Sequence, residues 1–251
     1  MNLQLAWLFD IDGTLLVTDG APRECFARAL RDSIGVEDDL SDIEFAGRVE
    51  PRILADILRK HRVILEHADE ARFWNQVFDH MQVAMHPGRG RLLPGVSELL
   101  DAVDREPEWA AGLLTGNMTQ MARIKLGHFG IAKRFRFGAF GEEATDRNAL
   151  AVEAVRRVNE RFGIPAERCI VVGDTEHDVT CARVAGARVV AVATGRTKRD
   201  TLEALEPDLT LDDLTDTRRV LDWAHAITSA PTSSRAASNP PITGPTTVGR
   251  K

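Results

Sequence analysis

At 251 residues the chain is long enough for one large domain, or for a core carrying a smaller insertion. Hydrophobic residues at 43% and charged residues at 28% are the balance of a folded globular chain and exclude wholesale disorder. A net charge of −6 excludes the broad basic surface of a nucleic-acid binder, and no apolar run approaches the roughly 20 residues that cross a bilayer.

Residues 3–9 form an almost continuously apolar run that ends at Asp10 and is broken at Gly13, the pattern of a central strand covered on both faces. The interval 16–92 reads differently: segments 22–34, 51–62 and 68–85 have helical spacing, and no strand is evident among them. An all-helical block directly after the first strand predicts an inserted cap domain, with residues 86–91 as the return linker and Pro94-Gly95 opening the next core helix. Strand-like runs at 110–114, 135–140, 169–172 and 189–193 then alternate with helical stretches at 118–127, 147–162 and 177–185. That alternation predicts an α/β fold with a doubly wound parallel sheet, its core made of residues 1–15 and 93–228. Residues 229–251 shift to Ser, Thr, Pro and Gly, a composition expected to stay disordered because it has little to bury.

Cys25, Cys169 and Cys181 are too few and too scattered for a disulfide framework or a zinc site. With an N-terminus that lacks signal-peptide features, they point to a cytoplasmic protein. The chemistry concentrates at Asp10-Ile-Asp-Gly-Thr-Leu15, placed at the C-terminal end of the first strand, where α/β sheets bind ligands. Two carboxylates one residue apart can divide the labour of nucleophile and general acid and base. A calcium loop of the EF-hand type is excluded, because its twelfth position would be Ala21 rather than Glu.

Residues 10–15 resemble the first motif of the haloacid dehalogenase superfamily, whose phosphatases carry D-x-D-G-T. The resemblance, to the phosphoglycolate phosphatase-like branch with its helical cap, extends in order over roughly residues 3–226 and implies a Rossmann-like core. It implies that Thr115, Gly116 and Asn117 hold the phosphoryl oxygens at a helix N-terminus, although Thr115 is equally suited to capping that helix. The family's usual lysine has no clear counterpart. Arg147, opening a helix, is the expected replacement, and Lys133 is the poorer choice because it precedes the strand. The run ending in Gly-Asp-Thr-Glu-His-Asp supplies Asp174 and Asp178, which with Asp10 and Asp12 are implied to hold Mg²⁺. Glu176 and His177 read as helix-start residues.

The resemblance implies a phosphatase: Asp10 attacks phosphorus, Asp12 protonates the leaving oxygen, and water then discharges the aspartyl phosphate. A dehalogenase is disfavoured because those enzymes lack an acid at the position of Asp12. A phosphomutase and a non-catalytic phospholigand binder remain as alternatives. The expected partner is a small phosphorylated metabolite, with no nucleic acid and no membrane. Phosphoglycolate, sugar phosphates and nucleotides all stay open, and the sequence is silent on oligomeric state. Arg48, in the predicted cap, is placed to contact a substrate anion, or else is a solvated residue at a helix start.

Overall fold

The structure, a computed structural model, describes residues 3–229. Its core is a six-stranded parallel sheet in the order β5-β4-β1-β6-β7-β8. β1 (Leu5–Phe9) lies in the middle, and every one of its side chains is buried. Leu5, Trp7 and Phe9 point to one face, where α4 (Val96–Arg105) and α9 (Thr217–Ser229) cover them. Ala6 and Leu8 point to the other, covered by α6 (Arg147–Phe162) and α7 (Glu176–Val184). Burial on both faces is why the strand reads as a run of apolar residues rather than an alternation. Fully burying each of its large side chains contributes roughly 1.5–3 kcal/mol.

β4 (Trp109–Leu114) pairs with β1 on one side and β6 (Cys169–Gly173) on the other. The chain therefore winds away from β1 in both directions, and this switch point opens a crevice at the C-terminal ends of the three strands. β7 (Arg188–Val192) and β8 (Leu209–Leu211) extend the sheet beyond β6, with α8 (Arg199–Glu203) in the connection between them. At the opposite edge the strand expected over 135–140 is reduced to β5 (Gly138–Ala139). Residues 132–134 form a short 3₁₀ turn, and only Gly138 and Ala139 take up regular pairing with Leu113 and Leu114. An edge strand of this length leaves little open template for another chain.

Between β1 and α4 lies the helical insert: α1 (Ala21–Ile34), α2 (Glu50–His61) and α3 (His67–Ala84). Its hydrophobic cluster is built around Phe26, which meets Phe45, Phe73 and Trp74 edge-on at centroid distances of 5.4, 5.9 and 5.5 Å. Met121 of α5 (Thr119–His128) joins this cluster, so the insert rests on a core helix. The interval is not wholly helical. β2 (Leu16–Val17) and β3 (Arg91–Leu92) pair antiparallel where the chain leaves and re-enters the core. Two-residue strands carry no alternation to read, which is why the sequence conceals them. The predicted tail lies outside the described residues, apart from Ser229, which closes α9.

Candidate active site

Asp10 follows β1 directly, and its amide extends the ladder by donating to Val172 O at 2.9 Å. The carboxyl is buried in the crevice. Gly13 then turns the chain at φ +84°, and a side chain there would strike Asp174, its Cβ falling 2.5 Å from Oδ2. Only glycine meets both demands. Thr14 Oγ1 donates to Asp174 Oδ1 at 3.0 Å, which fixes the acid at the end of β6. Asp178 stands in the first turn of α7, where Thr175 and Asp178 form a capping box.

Arg147 opens α6, as the sequence suggested, behind the N-cap Asp146. Its Nη2 donates to Asp10 Oδ1 at 2.9 Å, to Leu114 O at 3.0 Å, and to Asp178 Oδ1. Arg147 Nε and Nη1 are buried donors without a hydrogen-bond partner among the described residues. Burial works against the guanidinium charge, but Asp178 and Asp10 outweigh it and hold the pKa well above the ordinary arginine value. Lys133 is exposed, on the 3₁₀ turn, and does not line the cavity.

The carboxyls of Asp10, Asp174 and Asp178 each offer an oxygen within 4.8 Å of the others. Burial pushes the Asp10 carboxyl up to about 7; Arg147 pulls against this, and Asp178 and Asp12 add to it. Asp174 is likewise raised well above the usual carboxylate range, by burial first and then by Asp178 and Asp10. Three buried acids sharing one cation is an arrangement with unbalanced negative charge. An oxygen-only donor set of this kind suits a hard divalent ion such as Mg²⁺.

Asp12 is the more open acid, with 41% of its side chain exposed. Its Oδ2 accepts from Asn117 Nδ2 at 2.8 Å and from Lys125 Nζ at 2.6 Å. Lys125 is 1% exposed and also donates to Asn117 Oδ1 at 2.5 Å. Sequence reasoning missed this lysine. The signal was present: Met121, Ala122, Lys125 and Leu126 are the buried positions of α5, so Lys125 occupies the apolar stripe of its helix.

Gly116 and Asn117 line the cavity, whereas Thr115 lies behind them, fully buried. The expected helix N-terminus begins later than Thr115, with Met118 as the N-cap and Thr119 as the first helical residue. Thr115 therefore does not cap α5. Its Oγ1 accepts from the Asn117 amide at 3.2 Å and from Asn117 Nδ2 at 2.8 Å. Glu176 and His177 do open α7, and both are exposed.

The cavity above these groups measures about 460 Å³, and the insert supplies its other wall through Arg23, Phe45, Arg48 and Glu50. Arg48 is paired with Glu44, its Nη2 lying 2.6 Å from Oε2. Glu50, which sequence reasoning also missed, is 5% exposed, and its carboxyl is pushed by burial up to about 8 despite the opposing pull of Lys125. It too occupies an apolar stripe, with Ile53, Leu54 and Ile57 as the other buried positions of α2.

Among curated proteins, the chain is 29% identical to a 5'-nucleotidase of Pseudomonas aeruginosa over 86% of its own length and 94% of the relative's. It is 28% identical to a phosphoglycolate phosphatase of Agrobacterium fabrum, over 82% and 87%. A crystal structure of a predicted phosphoglycolate phosphatase from Haemophilus somnus shares the fold at a TM-score of 0.68 and 21% identity, covering 88% of this chain and 99% of that one. CbbY from Rhodobacter sphaeroides, solved with phosphate, aligns at a TM-score of 0.64 and 20% identity over 85% and 96%. The model of the haloacid dehalogenase-like hydrolases matches residues 7–183, a span that takes in every acid described above, and the chain belongs to that family.

Proposed function

We propose that this hydrolase is a magnesium-dependent phosphatase acting on a small phosphomonoester through an aspartyl-phosphate intermediate. The observation that carries the reading is the buried cluster of Asp10, Asp174 and Asp178, with the Arg147 guanidinium bonded to Asp10 and Asp178. Three neighbouring carboxyls beside one cation leave negative charge that a divalent ion would offset, at the mouth of a cavity of small-metabolite size.

In this reading Asp10 attacks phosphorus, Arg147 keeps it oriented, and Arg147 together with the bound cation would favour its ionised form. Asp12, held by Lys125 and Asn117, gives a proton to the departing alkoxide and later takes one from the attacking water. Asp10, Asp174 and Asp178 would hold Mg²⁺, with Asp12 beside them, and the bound ion would supply positive charge to the phosphoryl oxygens. Gly116 and Asn117 border the same space. The insert, residues 16–92, acts as a cap that excludes water and selects the substrate.

The cavity has the volume of a small-metabolite site. Arg23, Arg48 and Arg196 on its walls favour a leaving group that is itself anionic or strongly polar, such as a phosphoglycolate-like acid or a sugar phosphate. The curated relatives named as phosphoglycolate phosphatase and 5'-nucleotidase support an ester of this size. The test is phosphate release from a panel of such esters, with Mg²⁺, with a chelator, and with Asp10→Asn. Release that needs the metal and vanishes in the variant is expected. Release that survives chelation would sink the metal-dependent reading.

A further inference from the structure

The insert meets the active-site loop at the turn at 47–50. Gly47 packs on His177 so closely that a Cβ there would lie 2.4 Å from the ring. A Cβ on Gly116 would lie 2.0 Å from Arg48 O. The next residue but one, Glu50, touches the loop twice. Its amide donates to Gly116 O at 2.8 Å, and its carboxyl accepts from the Met118 amide at 2.7 Å. The two bonds fall on either side of Asn117. From the far side, the Gly141 amide donates to Asn117 O at 2.8 Å.

Asn117 is the residue so bracketed, and its side chain holds Asp12 at 2.8 Å while receiving Lys125 at 2.5 Å. Met118 is also the N-cap of α5, which carries Lys125, and no side chain of its own caps that helix. The carboxyl of Glu50 therefore takes the place of a cap, supplied from another helix, beside Glu142, whose carboxyl accepts from the Thr119 amide at 3.0 Å. Both donors on Asp12 thus depend on a loop that Glu50 clamps.

We propose that Glu50 is a positioning residue: by bracketing Asn117 from the insert, it places Asn117 and Lys125 on Asp12 and so keeps the acid and base competent. The proposal rests on the reading of Asp12 as that acid and base. It gives the insert a share in catalysis separate from choosing the substrate.

Two variants test this. Glu50→Ala removes the side-chain acceptor, whereas Glu50→Gln keeps a carbonyl oxygen of the same reach. Amide hydrogen exchange and steady-state kinetics are measured on both. For Glu50→Ala, protection is expected to fall at residues 116–119 and 47–50 while the amides of β1 and β6 are unchanged. Its kcat is expected to drop about tenfold or more with KM within about twofold, the split of an interaction that acts on the chemical step. Glu50→Gln should recover most of both. Unchanged protection at 116–119, or a fall spread evenly over the sheet, would overturn the bracket. An unchanged kcat in Glu50→Ala, or a loss that Glu50→Gln does not recover, would overturn its tie to Asp12. Should the wild type release phosphate from no ester, the phosphatase reading fails by itself, and the exchange result alone decides whether Glu50 clamps the loop.

Discussion

The two walls of the cavity are built on different principles. The core wall stands on strand ends: Asp10 after β1, Gly116 and Asn117 after β4, and Asp174 after β6, all carried by a sheet buried on both faces. Its functional groups are Asp10, Asp174 and Asp178 around Arg147, and Asp12 held by Lys125 and Asn117. The insert wall is a turn and two helix starts, carrying Arg23, Phe45, Arg48 and Glu50. It is anchored by aromatic packing on Phe26 and by a few hydrogen bonds to the core. On the phosphatase reading the difference separates two tasks: groups that meet the reacting phosphorus sit at buried strand ends, and groups that meet the rest of the substrate sit on a turn and two helix starts.

If the core wall carries the chemistry, the largest effect belongs to Asp10. Asp10→Asn should lower kcat by about 10⁴-fold or more, the scale seen when a nucleophile is removed. Wild-type enzyme quenched in acid during turnover of a radiolabelled ester should retain label on the protein, and the variant should retain none. Label on Asp10→Asn would break the assignment of that wall.

Lys125 comes next. Lys125→Met keeps the length and apolar character of the side chain but removes the charge that meets Asp12 and Asn117. A hydrogen bond to a charged group contributes about 1.5–3 kcal/mol, which corresponds to a loss in kcat of roughly 10- to 100-fold. Thermal unfolding should show the variant folded but melting a few degrees lower than wild type, because the buried Asn117 Oδ1 loses its donor and Asp12 its ion pair. A loss confined to KM would move Lys125 from the chemical step to substrate binding.

The same division decided what could be read from sequence. Strand ends announce themselves: an apolar run stops at a polar residue, and Asp10, Thr115 and Asp174 each stand at such a stop. Arg147 was legible because it opens a helix behind a capping aspartate. Lys125 and Glu50 were not, although each lies on the apolar stripe of its helix. A lone lysine in a helix and a glutamate before a proline at a helix start are ordinary on solvated faces. Only the register of the neighbouring apolar residues marks them as buried. The β2–β3 ladder escaped because two-residue strands have no period, and the strand read over 135–140 shrank to β5.

A smaller effect separates the walls by pH. Asp10 is raised to about 7 and Glu50 to about 8, both chiefly by burial, so each stays protonated in the folded chain where the unfolded chain would ionise it. Folding thus takes up protons between about pH 4 and 8, and the stability these groups allow is present at the acid end and lost as pH rises through 7 and 8. Metal-free protein should therefore melt several degrees lower at pH 8 than at pH 6. Mg²⁺ should recover the part due to Asp10, whereas Glu50→Gln should flatten the upper part of the profile without altering the response to Mg²⁺. A Glu50→Gln protein that no longer responds to the metal would erase the distinction between the two walls.

The smallest effect is assigned to Arg23. Its Nη2 donates to Ile43 O at 3.1 Å and its guanidinium lies 5.1 Å from the centre of the Phe45 ring, both contacts within the insert. It faces the cavity without a bond to any acid of the core wall. Arg23 is therefore expected to meet the part of the substrate that does not react, and to meet it equally before and during the reaction. Uniform binding of that kind changes KM and leaves kcat alone. Arg23→Ala should raise KM for an ester with an anionic leaving group about three- to tenfold, with kcat within about twofold. Arg23→Lys should recover only part of that, since a lysine keeps the charge but loses the flat contact with Phe45. The contrast with an uncharged ester is the sharper measure: its KM should hardly move in either variant. If kcat falls with both esters, the contact of Arg23 with Phe45 reaches the chemistry as Glu50 does, and the insert wall would then have to be counted with the catalytic one.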